Sequence, residues 1–207
     1  MMLPIVPAAP VIKMFGRWRI ACSKAIPCTE TGPPEGAPSM ERWRRLRSRR
    51  ISAGYIHLDE DVVQLPDGRE LAYEVVRARG YACACPVTPD GLVVLVRQYR
   101  YPPDDVLCEL PAGAIEHGES PLQAAQRETA EEVGFASDDW LELGSFWTMP
   151  GRSDERGHLF LARDAAEIAR PGTDEWSEVV THPIDVALQL VSTVRDALCL
   201  RLARAHL

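Results

Sequence analysis

Hydrophobic and polar positions divide the chain into an irregular first quarter and a strongly patterned remainder. Residues 54–64, GYIHLDEDVVQ, and 70–77, ELAYEVVR, are rich in β-branched and aromatic residues. Leu65-Pro66-Asp67-Gly68-Arg69 lies between them, and its Asp-Gly pair supplies a turn, so the two runs predict an antiparallel hairpin. Strand-like runs at 80–88 and 91–101 follow, joined by a Pro-Asp-Gly turn; the second is nearly continuous apolar sequence until it turns polar at RQYR. Further strands are predicted at 141–148, 157–163 and 176–181. A helix is predicted over 121–133, where Ser120 can cap the first turn, Pro121 suits its opening, Gly134 stops it, and Leu122, Ala125, Thr129 and Val133 form a modest apolar stripe. A second helix is predicted over 184–206, because Ala187, Leu190, Val191, Val194, Leu198 and Leu202 recur every three or four positions. This order predicts an α/β fold: a mixed sheet flanked by helices, an α/β/α sandwich, preceded by a small antiparallel N-terminal sheet.

The segment before residue 54 has a different texture. Residues 27–39, PCTETGPPEGAPS, have the composition of a flexible linker, so residues 1–39 read as a disordered leader or as the result of a start assigned ahead of Met40. Residues 40–53 carry six arginines between 42 and 50 and read as a basic flanking segment, a solvated helix rather than a nucleic-acid or membrane tether. No basic region precedes a continuous apolar one, and no apolar run approaches 18 residues. The expectation is therefore one soluble, cytoplasmic domain over residues 54–207 that engages neither membrane nor nucleic acid.

Charge sharpens that picture. Residues 1–50 carry a net +7 and residues 51–207 a net −14, so the patterned body is acidic and a poor nucleic-acid surface. Both lysines, Lys13 and Lys24, precede the body, which removes P-loop and Schiff-base lysine chemistry. The six cysteines include no C-x-x-C pair, and Cys83 and Cys85, on one side of a predicted strand, read as small buried hydrophobes.

One run carries chemistry: GAIEHGESPLQAAQRETAEEVGF, residues 113–135, with five glutamates, one arginine and three glycines. Glu128, Glu131 and Glu132 are three and four positions apart, which predicts their carboxylates on one helical face. Like charges so placed repel by roughly 0.2–0.5 kcal/mol per exposed pair. A hard divalent cation with oxygen ligands offsets that cost, and Mg²⁺ also bridges to phosphates. A solvated acidic face is the bland alternative, disfavoured by Arg127 and the glycines standing in register. Glu119 and Arg127, eight residues apart, can pair across the base of the motif, leaving Glu128 and Glu132 free for metal.

The run resembles the Nudix box, the motif of enzymes that hydrolyse nucleoside diphosphates linked to another group. Its one departure is Thr129, where an aliphatic residue is usual. Outside the box, LPDGRE at 65–70, VRQYRYP at 96–102, ELPAG at 109–113 and MPGRSDERGHLFLA at 149–162, with Pro150 fifteen residues past Phe135, resemble the ADP-ribose and nucleotide-sugar pyrophosphatase branch. The resemblance implies Mg²⁺, with Mn²⁺ as a substitute, held by the Ala112 carbonyl, Glu128, Glu131 and Glu132. It implies that Arg100 contacts the diphosphate and that Glu109 lies beside substrate or metal. Glu131, Glu175 and Arg127 are the implied catalytic groups: Glu175 as the acid that orients water, with Glu155 or Glu178 as alternatives, and Arg127 in a structural role. A nucleoside diphosphate sugar is the implied substrate, with ADP-ribose giving AMP and ribose 5-phosphate. GDP-mannose or another nucleotide sugar, and a non-catalytic sensor role, are the alternatives. The branch also implies a homodimer in which residues 54–77 cross to the partner's site.

Overall fold

The structure, a computed structural model, describes residues 41–54, 56–168 and 177–207. The expected leader at 1–39 and the loop bearing Glu175 lie outside the described residues. Strands β1 (Arg44–Ala53), β2 (His57–Gln64) and β3 (Glu70–Arg77) form an antiparallel sheet in that order. The β2–β3 turn follows from its Asp-Gly pair: Gly68 has φ +85° and its N–H donates to the Leu65 carbonyl at 2.9 Å.

β1 corrects the helix expected within residues 40–53. Its arginines stand opposite the acidic run of β2, with Arg49 donating to Glu60 at 3.1 Å and Arg50 paired with Asp59. A helix would crowd the arginines on one another, whereas the strand sets Arg49 and Arg50 against carboxylates and lets Arg44 donate to Gln64 at 3.2 Å. Register shifts between Arg45 and Arg47 and between Arg50 and Ser52 break the two-residue alternation, which hides the strand from a periodicity search. Arg77 then ties the sheet to Asp154, far along the chain, donating to Asp61 at 2.5 Å, Asp59 at 3.3 Å and Asp154 at 3.1 Å.

β4 (Tyr81–Pro86), β5 (Leu92–Arg100), β6 (Asp105–Glu109) and β7 (Ala112–Ala114) lead to α1 (Pro121–Glu128), which runs into a π-helical turn at Thr129–Val133. β8 (Phe135–Ala136), β9 (Asp139–Trp147), β10 (Arg156–Arg163), β11 (Ala166–Glu167), β12 (Ser177–Pro183), α2 (Ile184–Leu190) and α3 (Val194–Ala203) complete the order. One sheet runs β7-β4-β10-β9, with β4 and β10 parallel and the outer pairs antiparallel; a second runs β12-β5-β6.

Alternation along β4 decides the layers. Ala82 and Ala84 face α1, where Ala124 and Ala125 allow close approach, and Phe160 closes that layer. Cys83 and Cys85 point the other way, into the main core with Leu95, Leu159 and Leu161, and are free buried thiols packed as hydrophobes. The predicted sandwich around a mixed sheet is thus present. No helix among the described residues is long and apolar enough to cross a membrane.

Two helices depart from expectation. The 121–133 helix changes from α to π at Thr129. The 184–206 helix is broken: Val191 turns extended (ψ 138°) and bridges to Cys108, and Thr193 caps a new helix by accepting from the Asp196 N–H. Val-Ser-Thr at 191–193 favours extended and capping conformations over helix interior. The expected stripe fails with the break, since Val194 is 86% exposed while Cys199, Leu200 and Ala203 are buried.

Candidate active site

The box is positioned by its helix start and its small residues. Ser120 and Gln123 form a reciprocal capping box, and the alanines seat α1 on β4 beside β7. Thr129, in the position usually aliphatic, is fully buried, and its hydroxyl donates to the Ala125 carbonyl at 2.7 Å, so the polar atom is satisfied. The π turn starts there and stops at Gly134, whose φ of +72° suits glycine.

As a result, Glu128 and Glu132 turn in toward β7 while Glu131 does not. A Cβ at Gly113 would overlap the Glu128 carboxylate, so only glycine permits this approach. Glu132 Oε2 accepts the Ala112 N–H at 2.9 Å. Glu131 is 61% exposed and bonded to Arg127 at 3.1 Å, so the three carboxylates expected on one face divide into two inner and one outer.

Arg127 holds the frame. Its Nε and Nη2 grip Glu119 at 2.9 and 3.1 Å, as the eight-residue spacing predicts. Nη1 also reaches Glu128 at 2.6 Å and Nη2 reaches the Ala114 carbonyl at 3.0 Å, so Glu128 is not left free as expected. Glu119, Glu128 and Glu131 together hold the guanidinium above its usual pKa, and Arg127 in turn holds the Glu119 carboxyl below the usual carboxylate range. A guanidinium so engaged orders the motif and has little left to offer a substrate.

Beside this frame lies a cleft of about 370 Å³ lined by Tyr81, Glu109, Ala112, Gly113, Glu155 and Arg195, among others. Cavities of about 490 Å³ occur at the α1 N-terminus and beside Trp147, but neither is lined by the Glu128–Glu132 pair's strand partners Ala112 and Gly113. Arg100 and Glu109 are brought together: Glu109 is buried and accepts from Arg100 Nε at 2.6 Å, Gln98 at 3.3 Å and Arg195 Nη2 at 3.4 Å. Arg195 was not singled out from the sequence. Its helix read as continuous and a lone arginine there carries no signal; only Thr193, a capping residue two positions earlier, hinted at a helix start.

Electrostatics favour a cation at the inner pair. Burial pushes the Glu132 carboxyl up to about 7, the Ala112 N–H opposes the rise, and the charge of Glu128 adds to it. Two close carboxylates with oxygen donors on a partly buried floor fit a hard divalent cation, which would relieve both penalties. Among the described residues no three His, Cys, Asp or Glu side chains are already gathered as a cage.

The candidate bases separate by place. Glu155 lines the cleft. Glu178 is exposed on β12 and pairs with Arg97 at 3.2 Å. Glu175 lies outside the described residues. Tyr99 and Tyr101 are exposed on and beside β5, and Trp147 is exposed with the Arg156 guanidinium 4.9 Å from its ring.

Residues 76–200 match the NUDIX domain. The chain is 32% identical over 158 residues to the ADP-ribose pyrophosphatase of Bacillus subtilis (strain 168), covering 75% of this chain and 85% of that protein. It is 33% identical over 156 residues to the methanol dehydrogenase activator of Bacillus methanolicus, covering 73% and 84%. It is 27% identical over 165 residues to the GDP-mannose pyrophosphatase of Yersinia enterocolitica serotype O:8 / biotype 1B (strain NCTC 13174 / 8081), covering 72% and 86%. A solved structure described as an ADP compounds hydrolase matches with a TM-score of 0.73 at 22% identity, over 82% of this chain and 96% of that one, which is a likeness of fold.

Proposed function

The chain belongs to the NUDIX domain family, and from that premise we propose that it hydrolyses the diphosphate bond of a nucleoside diphosphate sugar, with ADP-ribose and water giving AMP and ribose 5-phosphate. The observation that carries this reading is the approach of Glu128 and Glu132 to the Ala112–Gly113 strand at a cleft walled by arginine. The name of the Bacillus subtilis relative supports ADP-ribose; that of the Yersinia relative makes GDP-mannose the second reading.

Glu128, Glu132 and the Ala112 carbonyl, with Glu131 at the rim, would hold Mg²⁺ or Mn²⁺, which would neutralise the diphosphate and acidify a bound water. Arg127 keeps Glu119 and Glu128 in place. Arg100, fixed through Nε by Glu109, directs its remaining donors at nonbridging oxygens. Water attacks one phosphorus, the bridging P–O bond breaks, and a carboxylate takes the water's proton. That base is Glu175, as the resemblance implies, or Glu155 in the cleft. We also propose a homodimer in which residues 54–77 complete the partner's site.

The test is a substrate panel of ADP-ribose, GDP-mannose, UDP-glucose, NADH and diadenosine polyphosphates with saturating Mg²⁺, repeated with EDTA and with Glu128→Gln and Glu132→Gln. Turnover of a nucleotide sugar, its loss in EDTA, and a fall in kcat well beyond about tenfold in either variant are expected, since a lost metal ligand raises the barrier by more than about 1.4 kcal/mol. A folded variant with near-normal kcat would falsify the metal assignment.

A further inference from the structure

Two guanidiniums line the cleft at Gly113, and they differ in how they are held. Arg79, between β3 and β4, is exposed and has no hydrogen-bond or ion-pair partner among the described residues. Arg195, on the first turn of α3, has a side chain only 22% exposed and is anchored at two of its nitrogens. Its Nε donates to Asp196 Oδ1 at 2.7 Å and its Nη2 to Glu109 Oε1 at 3.4 Å.

The anchors are themselves fixed. Asp196 is fully buried; its Oδ2 accepts from the Thr193 hydroxyl at 2.7 Å, and its N–H donates back to that hydroxyl at 3.1 Å. Glu109 is shared with Arg100, so one buried carboxylate joins the two arginines into a single cluster, in which Glu109 and Asp196 balance the two positive charges. Nη1 of Arg195 has no hydrogen-bond partner among the described residues. Withdrawing an arginine and two carboxylates from water is costly and seldom a net gain in stability. A guanidinium held this way is ordered in advance, and its unused donor needs no further immobilisation to meet an anion.

We propose that Arg195 binds the substrate's diphosphate from the cleft wall, with Asp196 and Glu109 as the positioning carboxylates that aim it. A nonbridging phosphate oxygen takes the free Nη1–H, and Arg100 contributes from the far side of Glu109. The inference rests on reading the cleft as a diphosphate site, and it is independent of which base or sugar the substrate carries.

The experiment measures calorimetric binding of methylenediphosphonate, a bare P–C–P unit that hydrolysis cannot cleave, in the presence of Mg²⁺, alongside steady-state kinetics on the best nucleotide sugar. Arg195→Lys keeps the charge but loses the planar fork. It is expected to weaken methylenediphosphonate about tenfold or more and to raise KM similarly, with kcat within about threefold. Arg195→Lys that stays folded and binds the probe as tightly as wild type overturns the proposal. Should that variant not fold, Thr193→Val leaves Arg195 intact and removes the hydroxyl that both fixes Asp196 and caps α3; a raised KM with unchanged kcat and an unchanged Tm supports the proposal, and wild-type KM and probe affinity overturn it. A wild-type protein that fails to bind the probe overturns it as well. A wild-type protein that binds the probe through Arg195 yet turns over no nucleotide sugar supports it while sinking the substrate reading.

Discussion

At the scale of single residues, Glu132 shows how burial and a neighbouring charge would set the pH response of the proposed metal site. Its carboxyl, pushed up to about 7, is neutral below that pH and must lose its proton to serve as a ligand. Lowering the pH from 8 to 6 is therefore expected to raise the half-saturating Mg²⁺ concentration about tenfold, by proton competition alone. For the metal-free protein the sign reverses. Between the ordinary carboxyl value of 4.5 and about 7, the unfolded chain releases a proton that the folded chain keeps, so this group makes stability fall as pH rises through the window. A Mg²⁺ titration at several pH values checks the first effect, and a flat profile would remove Glu132 from the ligand set. Gly113 and Thr129 belong to the same scale. The glycine was legible as a position of the motif, but its actual role, giving the Glu128 carboxylate room, depends on a helix that only packing brings to it.

Among elements, β1 and the helices show where pattern reading succeeds and fails. Strands such as β3 and β5 were legible because their alternation or apolar run is intact, and β3 has the bounds predicted. β1 was not, because two register shifts and five arginines disguise it, and two of those arginines, Arg49 and Arg50, pair with acids on another strand. The N-terminal sheet is then fastened by Arg77, which meets Asp59, Asp61 and Asp154. Asp61 is buried and its Oδ1 has no hydrogen-bond partner among the described residues, so removing Arg77 takes away the partner that the other oxygen has there. Arg77→Leu is expected to cost roughly 1–3 kcal/mol, or about 2 to 10 °C in Tm for a domain of this size. Thermal unfolding decides it; an unchanged Tm would mean that the sheet is held by its backbone ladder and by the Tyr73–Gly151 bond instead.

Considered as a whole, the molecule builds one cleft from pieces far apart in sequence: the β3–β4 connection, β7, the start of β10 and the first turn of α3. That convergence separates two acids that looked equivalent in sequence. Glu155 lines the cleft, whereas Glu178 is spent on Arg97 at an exposed sheet edge. Glu155→Gln is expected to lower kcat by about a hundredfold with little change in KM, since a base acts mainly in the transition state. Glu178→Gln should stay within about threefold of wild type. Near-normal kcat in Glu155→Gln would return the role to Glu175.

What the chain determined by itself is local: the glycines that turn, the cap at Ser120, the strand periods, and a box whose charge spacing places Arg127 against Glu119. These follow from dihedral preference and from neighbours three or four residues away, which any segment carries with it. Tertiary structure alone decided that Glu131 faces outward, that the C-terminal helix breaks at Val191, and that Arg195 joins Arg100 on Glu109. Each of those depends on a π turn, a bridge to β6 or a buried carboxylate contributed by a distant strand. Contacts across 86 positions, such as Arg195 to Glu109, leave no periodic trace, because the energy that selects them lies in burial and pairing that exist only once the sheets and helices have packed.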